Sequence, residues 1–232
     1  MHKLIASAIA MLLIAACSST PLIPGPESNE SAALGIAIKV RVSGLATYRA
    51  DAVYFVRSCP AAEACAETLQ ASHFAKDGRA YLLNAQPGEY RAVAAAFESG
   101  VPGDNSVYFA YFPAALASAT TTPLAAGEWA YAGSYTVFAA HGLCPEDAEP
   151  DQLRHAQLIE PDTPKCGVWK PLLHKLGQGH YLYIGGKAYI VGSQTFHYRG
   201  TAHEPTQAPG GKADFLSRMR ADLEGAGWKA PQ

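Results

Sequence analysis

The sequence predicts a mainly β fold, an antiparallel β-sandwich with a C-terminal extension that contains a β-hairpin and one α-helix. Three observations predict it: apolar runs of strand length separated by turn residues, alternation of apolar and polar residues within the runs, and two-residue hairpin turns. The chain is 49% hydrophobic, which suffices for one substantial core. We expect residues 34–138 to form the sandwich and residues 139–232 to form the extension.

The N-terminus has the features of an export signal. Lys3 precedes an apolar run over residues 4–16, which is too short to cross the roughly 30 Å of a bilayer core as a helix. The run closes with the tetrapeptide Ile14-Ala15-Ala16-Cys17, so a cysteine directly follows small residues. An ordinary cleaved signal peptide is the alternative to a signal that uses this cysteine.

The tetrapeptide resembles the lipobox of bacterial lipoproteins in its pattern and in its place after the apolar run. The resemblance implies a signal peptide at residues 1–16 and a lipid anchor, with palmitate, on Cys17. Several acyl chains hold a protein stably on a membrane where one chain is marginal. The residue after the cysteine is Ser18 and not Asp, which by the same resemblance implies export through the periplasm to the outer membrane.

Residues 17–33 are expected to join the anchor to the folded domain. After Cys17 they are rich in Ser and Pro and show neither helical nor strand periodicity. A flexible chain of this length spans on the order of 20 Å. We therefore predict a flexible tether that ends where the first strand begins.

Six runs of strand length follow the tether. In the first, apolar residues alternate with Lys39 and Arg41, so one face of the strand is buried and the other faces water. Asp77 and Gly78 predict a two-residue hairpin turn. The predicted strands are Leu34–Val42, Ala52–Arg57, Ala80–Asn84, Tyr90–Phe97, Val107–Phe112 and Trp129–Phe138.

One short motif occurs at the entry to two of these strands. Pro87-Gly88-Glu89-Tyr90 and Ala126-Gly127-Glu128-Trp129 both place Gly, Glu and an aromatic residue before an alternating strand. The first resembles the strand entry of prealbumin-like domains, including the carboxypeptidase-regulatory-like modules of bacterial surface proteins. The resemblance covers residues 34–138. It implies a sandwich that is not catalytic and that serves as a spacer or a binding module.

Residues 139–232 are expected to form the C-terminal extension. Residues 139–176 lack periodicity and contain several prolines, and residues 201–211 are predicted to be a second loop rich in Pro and Gly. Between these loops, Gly185-Gly186 separates two short β-like runs and predicts a hairpin over residues 180–192.

One helix is predicted near the C-terminus, from Lys212 to about Glu224. Its apolar residues recur at spacings of three and four, namely Phe215, Leu216, Met219 and Leu223. Gly225 or Gly227 ends the helix, and Trp228 is expected to fold back on its last turn. Such a helix closes one side of the sandwich, and docking of a partner on it is the alternative.

Four cysteines remain once Cys17 carries a lipid, an even number in an exported chain. Disulfide bonds are expected in an oxidising compartment. Of the three connectivities we predict Cys59–Cys65 and Cys144–Cys166, because each pair brackets an irregular segment. A zinc site of four thiolates is the alternative, although the chain has no Cys-x-x-Cys pair.

Signatures of catalysis and metal binding are scarce. The eight histidines include His174 with His180 and His197 with His203, but a spacing of six places neither pair on one face of a helix or a strand. The chain contains no G-x-S-x-G, S-x-x-K or H-E-x-x-H motif. The densest titratable group is His141, Asp147, Asp151 and His155. We predict no catalytic residue, no metal and no cofactor besides the lipid.

Aromatic residues form the other candidate surface. Tyr108 and Tyr111 lie in one predicted strand, and Trp129 and Tyr131 lie in another. Exposed aromatic rings stack on sugars or anchor a protein partner, so these four residues are a candidate binding surface. Packing in the core is the alternative, because neighbours along a strand point to opposite faces.

Charge argues against one class of partner. The chain has 18 Lys and Arg against 20 Asp and Glu, a net charge of −2, and no basic run, so we expect no binding to nucleic acid. We predict a lipid-anchored envelope protein that is not an enzyme, held on the membrane through Cys17 and binding a protein or a glycan. The alternatives are an envelope hydrolase or metal-binding protein that uses the C-terminal histidines, and an assembly factor of a surface or secretion machine.

Overall fold

The fold is mainly β, as the sequence predicts. The computed structural model describes residues 22–42, 46–58, 68–98, 107–139, 148–159, 181–184, 187–190, 197–207 and 211–230. Within these ranges the chain forms thirteen β-strands, three α-helices and one turn of 3₁₀ helix.

Strands dominate the chain from residue 32 onward. They are β1 (Ala32–Val42), β2 (Ala46–Arg49), β3 (Ala52–Ser58), β4 (Thr68–Ala71), β5 (Phe74–Lys76), β6 (Arg79–Ala85), β7 (Gly88–Glu98), β8 (Val107–Tyr111), β9 (Thr122–Leu124), β10 (Trp129–Ala139), β11 (Tyr181–Ile184), β12 (Lys187–Ile190) and β13 (His197–Gln207). The helices are α1 (Ala114–Ala119), α2 (Pro150–Ile159) and α3 (Lys212–Leu223). A 3₁₀ turn, Glu224–Ala226, follows α3 directly.

Eleven of the strands belong to one sheet. Its main path runs β4-β3-β7-β8-β13-β10-β1-β6-β5, while β2 pairs with β1, β9 pairs with β7, and β11 pairs with β12 in a separate sheet. The pairs are antiparallel except for β1 with β10 and β8 with β13, which are parallel. The sequence did not predict these parallel pairs, because turn signals identify only strands that are neighbours along the chain.

The six predicted strands and both predicted hairpins are confirmed. Each strand has bounds within two residues of those expected. In the turn between β5 and β6, Asp77 and Gly78 have φ values of 54° and 78°, the positive values that a tight hairpin turn requires. At the other hairpin, Ile184 pairs with Lys187, so the strands on either side of the two glycines pair as expected.

The sheet curls around one apolar core. One half of the sheet, with β3, β7 and β8, and the other half, with β10, β1 and β6, both contribute residues to this core. β3 and β7 contribute Phe55 and Phe97 to this core, and β1 contributes Ile36 from the other half. The alternation predicted for β1 is confirmed at its C-terminal end, where Lys39 and Arg41 are exposed. A core shared by strands distant in the chain stabilises the sheet as one unit, since an isolated hairpin is marginal in water.

Helix α3 covers the outer face of the half that contains β1. Its buried residues follow the predicted periodicity and are Phe215, Met219 and Leu223. Gly227, at φ 83°, ends the following 3₁₀ turn in the left-handed conformation that favours glycine. Trp228 then folds back as predicted and meets Trp129 edge to face, with ring centroids 6.3 Å apart. The end of the helix is thereby joined to β10.

Helix α2 packs on the outer face of the other half, against β7 and β8. It lies within residues 139–176, which were expected to be irregular. Its buried residues include Gln152 and His155, and Gln152 Nε2 donates a 3.1 Å hydrogen bond to the Tyr111 carbonyl. Gln152 and His155 lie on the buried face beside Leu153, Ala156 and Ile159, so polar residues interrupt the short apolar stripe that a sequence pattern would detect.

Strand β13 occupies part of the chain where a loop was predicted. A loop was predicted over residues 201–211 and a boundary at residue 139, yet His197–Gln207 is a strand inserted between β8 and β10. Its Gly200 and Pro205 obscured the strand, because both residue types predict turns. The C-terminal portion therefore contributes one strand to the main sheet, while β11 and β12 form a sheet of their own.

Residues 22–31 lie against the domain, although they were expected to belong to a flexible tether. Trp228 Nε1 donates a 2.7 Å hydrogen bond to the Pro24 carbonyl. Asn84 Nδ2 donates one of 2.9 Å to the Gly25 carbonyl. These hydrogen-bond partners are far away in the sequence. Local composition therefore predicted a flexible segment and contained no signal for its docking.

Candidate functional site

The four aromatic residues of the candidate binding surface do not form one surface. Tyr111 and Trp129 are only 0% and 6% exposed and belong to the clusters beneath α2 and α3, respectively. Tyr108 and Tyr131 are half-buried, and Tyr108 stacks on Phe97 at 5.5 Å against the central core. Because the four side chains belong to three separate apolar clusters, their burial favours the alternative, packing in the core.

The predicted lipid site, the disulfides and most of the histidine candidates lie outside the described residues. These positions are Cys17, Cys59, Cys65, Cys144, Cys166, His141, Asp147, His174 and His180, together with the side chains of His197 and His203. Asp151 is exposed and lies 3.5 Å from Arg154, whereas His155 is buried. In the part of the chain that the structure describes, no three His, Cys, Asp or Glu side chains are placed to share a metal ion.

A cleft of about 460 Å³ opens between the N-terminal end of α3 and the sheet. Ala37 of β1 and Ser134 of β10, which pair directly, lie in the cleft. Its charged lining residues come from β1, β2, the turn after β5, β6 and α3, and are Lys39, Arg49, Asp77, Arg79, Asp214 and Arg218. With β10 included and the β5–β6 hairpin counted once, five separate segments of the chain meet at one site.

An irregularity in β10 positions Ser134 in this cleft. The pairing of β1 with β10 advances from Gly35–Tyr131 to Ala37–Ser134, so β10 has one extra residue there. Gly133 within it has a φ of 110°, which favours glycine. Since one extra residue reverses the alternation of a strand, Tyr131 and Ser134 both face α3.

Positive charge exceeds negative charge in the cleft. Arg49 Nη1 lies 2.8 Å from Asp77 Oδ1, and Arg218 Nε lies 3.0 Å from Asp214 Oδ2. Both pairs are exposed, so water weakens their attraction. Lys39 is also exposed and has no ion-pair partner among the described residues. This surplus makes the cleft suitable for an anion.

The buried carboxylate of Asp222, on α3, forms an ion pair with Arg79, the fourth cation of the cleft. Asp222 Oδ2 lies 2.8 Å from Arg79 Nη2 and accepts a 2.7 Å hydrogen bond from the Tyr81 hydroxyl. Asp222 Oδ1 lies 3.0 Å from Lys76 Nζ. Burial alone would raise the pKa of Asp222, but the hydrogen bonds from these three partners outweigh it and lower that pKa below its ordinary value. The carboxylate therefore stays ionised at neutral pH.

Sequence reasoning found one part of this site and missed the rest. It placed Lys39 on the water-facing side of β1, because alternation within a strand is a local property. Arg49, Arg79 and Arg218 carry no such signal, since they stand far apart in the sequence. The order of strands in the sheet and the packing of α3 on it bring them together.

The chemistry of the lining is that of anion binding. Guanidinium and ammonium groups bind carboxylates and phosphates through charge-assisted hydrogen bonds. The hydroxyls of Tyr131 and Ser134, which also line the cleft, add donors and acceptors for a polar ligand.

Comparisons with known proteins assign no family to the chain. No protein-family model, no curated protein sequence and no solved structure matches it. Among the described helices, none combines the length and the apolar character needed to cross a bilayer. The cleft and its charges therefore carry the functional argument.

Proposed function

We propose that this protein is a lipid-anchored binding protein of the cell envelope and that the cleft beside α3 binds an anionic group of a glycan or a protein partner. Lys39 carries the proposal, because it is an exposed cation without an ion-pair partner among the described residues. A carboxylate or phosphate that enters the cleft pairs with Lys39 and shares Arg49 and Arg218 with their exposed aspartates.

The curled sheet supports a finer assignment, a prealbumin-like β-sandwich. The half with β3, β7 and β8 and the half with β10, β1 and β6 both send side chains into the central core, as two packed layers do. In this assignment the inner faces provide stability. The outer face of the second layer, with α3 beside it, provides the binding site.

The docked N-terminal segment bears on how an anchor at Cys17 would hold the domain. Four residues separate Cys17 from Leu22, where the described part of the chain begins. Even fully extended, this stretch spans at most about 18 Å. A lipid on Cys17 therefore holds the domain close to the bilayer surface.

Replacing Cys17 with Ala is expected to abolish lipid attachment, because the side chain then has no sulfur for the thioether. Metabolic labelling with palmitate, followed by isolation of the protein, measures the effect. Cys59→Ser is the control: it removes a cysteine sulfur elsewhere in the chain and should retain the label. Full labelling of Cys17→Ala would contradict the lipid anchor.

Replacing Lys39 with Ala is expected to weaken binding of a monomeric acidic sugar about tenfold, the loss of one charge-assisted hydrogen bond. Galacturonate is titrated into the isotope-labelled mature chain without its lipid, and amide shifts are followed by NMR. We expect the shifts to centre on Lys39, Ser134 and Gly211, and added salt to reduce the affinity.

Lys229→Ala is the matched control for Lys39→Ala. Lys229 is an exposed lysine beyond the C-terminal end of α3, so its loss should leave the affinity unchanged. The proposed site is wrong if Lys39→Ala and wild type bind galacturonate equally, or if the shifted amides lie away from the cleft.

A further inference from the structure

The cleft continues along the sheet into a second depression. This depression, of about 270 Å³, is lined by Arg41, Thr136, Val137, Phe138 and Thr206. Lys39 of the cleft pairs with Thr136 of the second depression across β1 and β10, and Arg41 pairs with Phe138, so the linings of the two recesses are neighbours on the sheet. The cleft and the second depression together form one feature, the basic groove, which runs from α3 towards the C-terminal end of β1.

We propose that the basic groove binds an acidic glycan, a chain of sugars bearing carboxylates, with successive carboxylates at Lys39 and Arg41. This inference rests on the proposed function, because it extends the ligand from one anionic group in the cleft to a chain that continues beyond it. The cleft holds one end of the chain, and the second depression holds the sugars that follow.

The placement of Lys39 and Arg41 favours a ligand with repeated charges. The two residues are two positions apart on one face of β1, so about 7 Å separates their Cα atoms. Both are exposed, and neither has an ion-pair partner among the described residues. A single small anion pairs with one of these cations, whereas a chain with regularly spaced carboxylates pairs with both.

The floor of the basic groove favours a glycan over a peptide. β1 and β10 are interior strands with partners on both sides, so their backbone groups are occupied and do not add an extended peptide as a further strand. The groove instead presents the side chains of Ser134, Thr136 and Thr206 beside its cations. Hydroxyl groups of this kind exchange hydrogen bonds with the hydroxyls of sugars.

The shape of this face favours a slender ligand over a membrane. Phe215 of α3 packs directly over Gly35 of β1, so the helix stands on the sheet at one end of the groove. A helix with its side chains is about 10 Å across. A flat bilayer that rests on α3 leaves Lys39 recessed beside it, whereas a single polysaccharide chain enters the groove.

The dependence of affinity on chain length tests the proposal. Galacturonate monomer, dimer and tetramer are titrated calorimetrically into the lipid-free mature chain. We expect the tetramer to bind about tenfold more tightly than the monomer, because it reaches Arg41 as well as Lys39. Arg41→Glu should remove this gain while it changes the affinity for the monomer by no more than about twofold, since water and salt together weaken the interaction between exposed charges about 7 Å apart.

Lys229→Glu is the matched control, because it makes the same change of charge outside the groove and should leave both affinities unchanged. A tetramer that gains nothing over the monomer, or a gain that survives Arg41→Glu, overturns the glycan proposal and leaves the anion-binding cleft intact. If neither monomer nor tetramer binds, the proposed function fails as well. Tighter binding of a polyglutamate peptide, or of vesicles rich in phosphatidylglycerol, overturns the proposal in favour of that ligand.

Discussion

Replacing Asp222 with Ala is expected to lower the free energy of unfolding by about 3 kcal/mol. The Asp222 side chain is 5% exposed, and its carboxylate joins α3 to Lys76 and Arg79. It also accepts a hydrogen bond from the Tyr81 hydroxyl. Its removal leaves Arg79, whose side chain is 13% exposed, without its nearest counter-charge. The expected loss lies at the low end for a broken buried pair, because Asp77 remains 3.5 Å from Arg79.

Urea unfolding followed by circular dichroism measures this loss, and Asp214→Ala is the matched control on the same helix. Asp214 pairs with Arg218 at 3.0 Å, but their side chains are 59% and 60% exposed. The control should cost less than about 0.5 kcal/mol. Asp222→Asn, which retains the shape and loses the charge, should fall between the two. Equal losses for Asp222→Ala and Asp214→Ala would show that the buried network does not stabilise α3.

The difference between wild type and Asp222→Ala is expected to shrink in acid. Burial raises the pKa of Asp222, but hydrogen bonds from Tyr81, Lys76 and Arg79 lower it by more, so the folded value lies below the unfolded one. A carboxylate with a lowered pKa stabilises the fold above its unfolded pKa of about 4, and this stabilisation is lost as the pH falls through the folded pKa. Urea midpoints at neutral and acidic pH measure the change. A difference that is constant with pH would contradict a role for the ionised carboxylate.

Replacing Phe215 with Ala is expected to cost about 4 kcal/mol, because it leaves a cavity where α3 meets the sheet. The side chain is 5% exposed. Its ring centroid lies 4.5 Å from the ring centroid of Tyr131 and 6.1 Å from that of Tyr81. Urea unfolding again measures the loss. Ser217→Ala, at an exposed position of the same helix, is the control and should change stability by less than about 0.5 kcal/mol.

A double-mutant cycle with Gly35 tests the contact itself. A methyl group at Gly35 would lie 2.5 Å from Phe215 Cε1 and 3.2 Å from Tyr81 Cδ1, so Gly35→Ala alone should cost about 1–3 kcal/mol. In a chain that already carries Phe215→Ala, the methyl group enters the vacated space and should cost little. Additive losses in the double variant would mean that Phe215 does not pack on Gly35.

Sequence patterns predicted the elements whose determinants lie close together in the chain. The Asp77-Gly78 turn follows from two residue types that tolerate the positive φ values found there, and the buried face of α3 follows from its spacings. The same reasoning missed β13, because Gly200 and Pro205 argue locally for a turn. Pairing with β8 and β10 on either side outweighs that local preference.

The candidate site was predictable to a smaller extent. The exposure of Lys39 and Arg41 follows from alternation in β1, and the structure places both in the basic groove. The aromatic residues were the candidate surface instead, yet Tyr111 and Trp129 are buried. Aromatic composition does not distinguish an exposed platform from a core, since both use the same apolar rings.

By itself, the sequence determined the mainly β class, the hairpin turns and the apolar face of α3, because each depends on residues within a few positions of one another. The tertiary structure alone decided that Lys39, Arg79 and Arg218 share one cleft and that residues 22–31 dock on the domain. The physical reason is that strand order, and the packing of α3 and of the N-terminal segment on the sheet, depend on contacts between residues distant in the sequence. Pairing in the sheet places distant residues side by side, and local periodicity contains no information about which strands become neighbours.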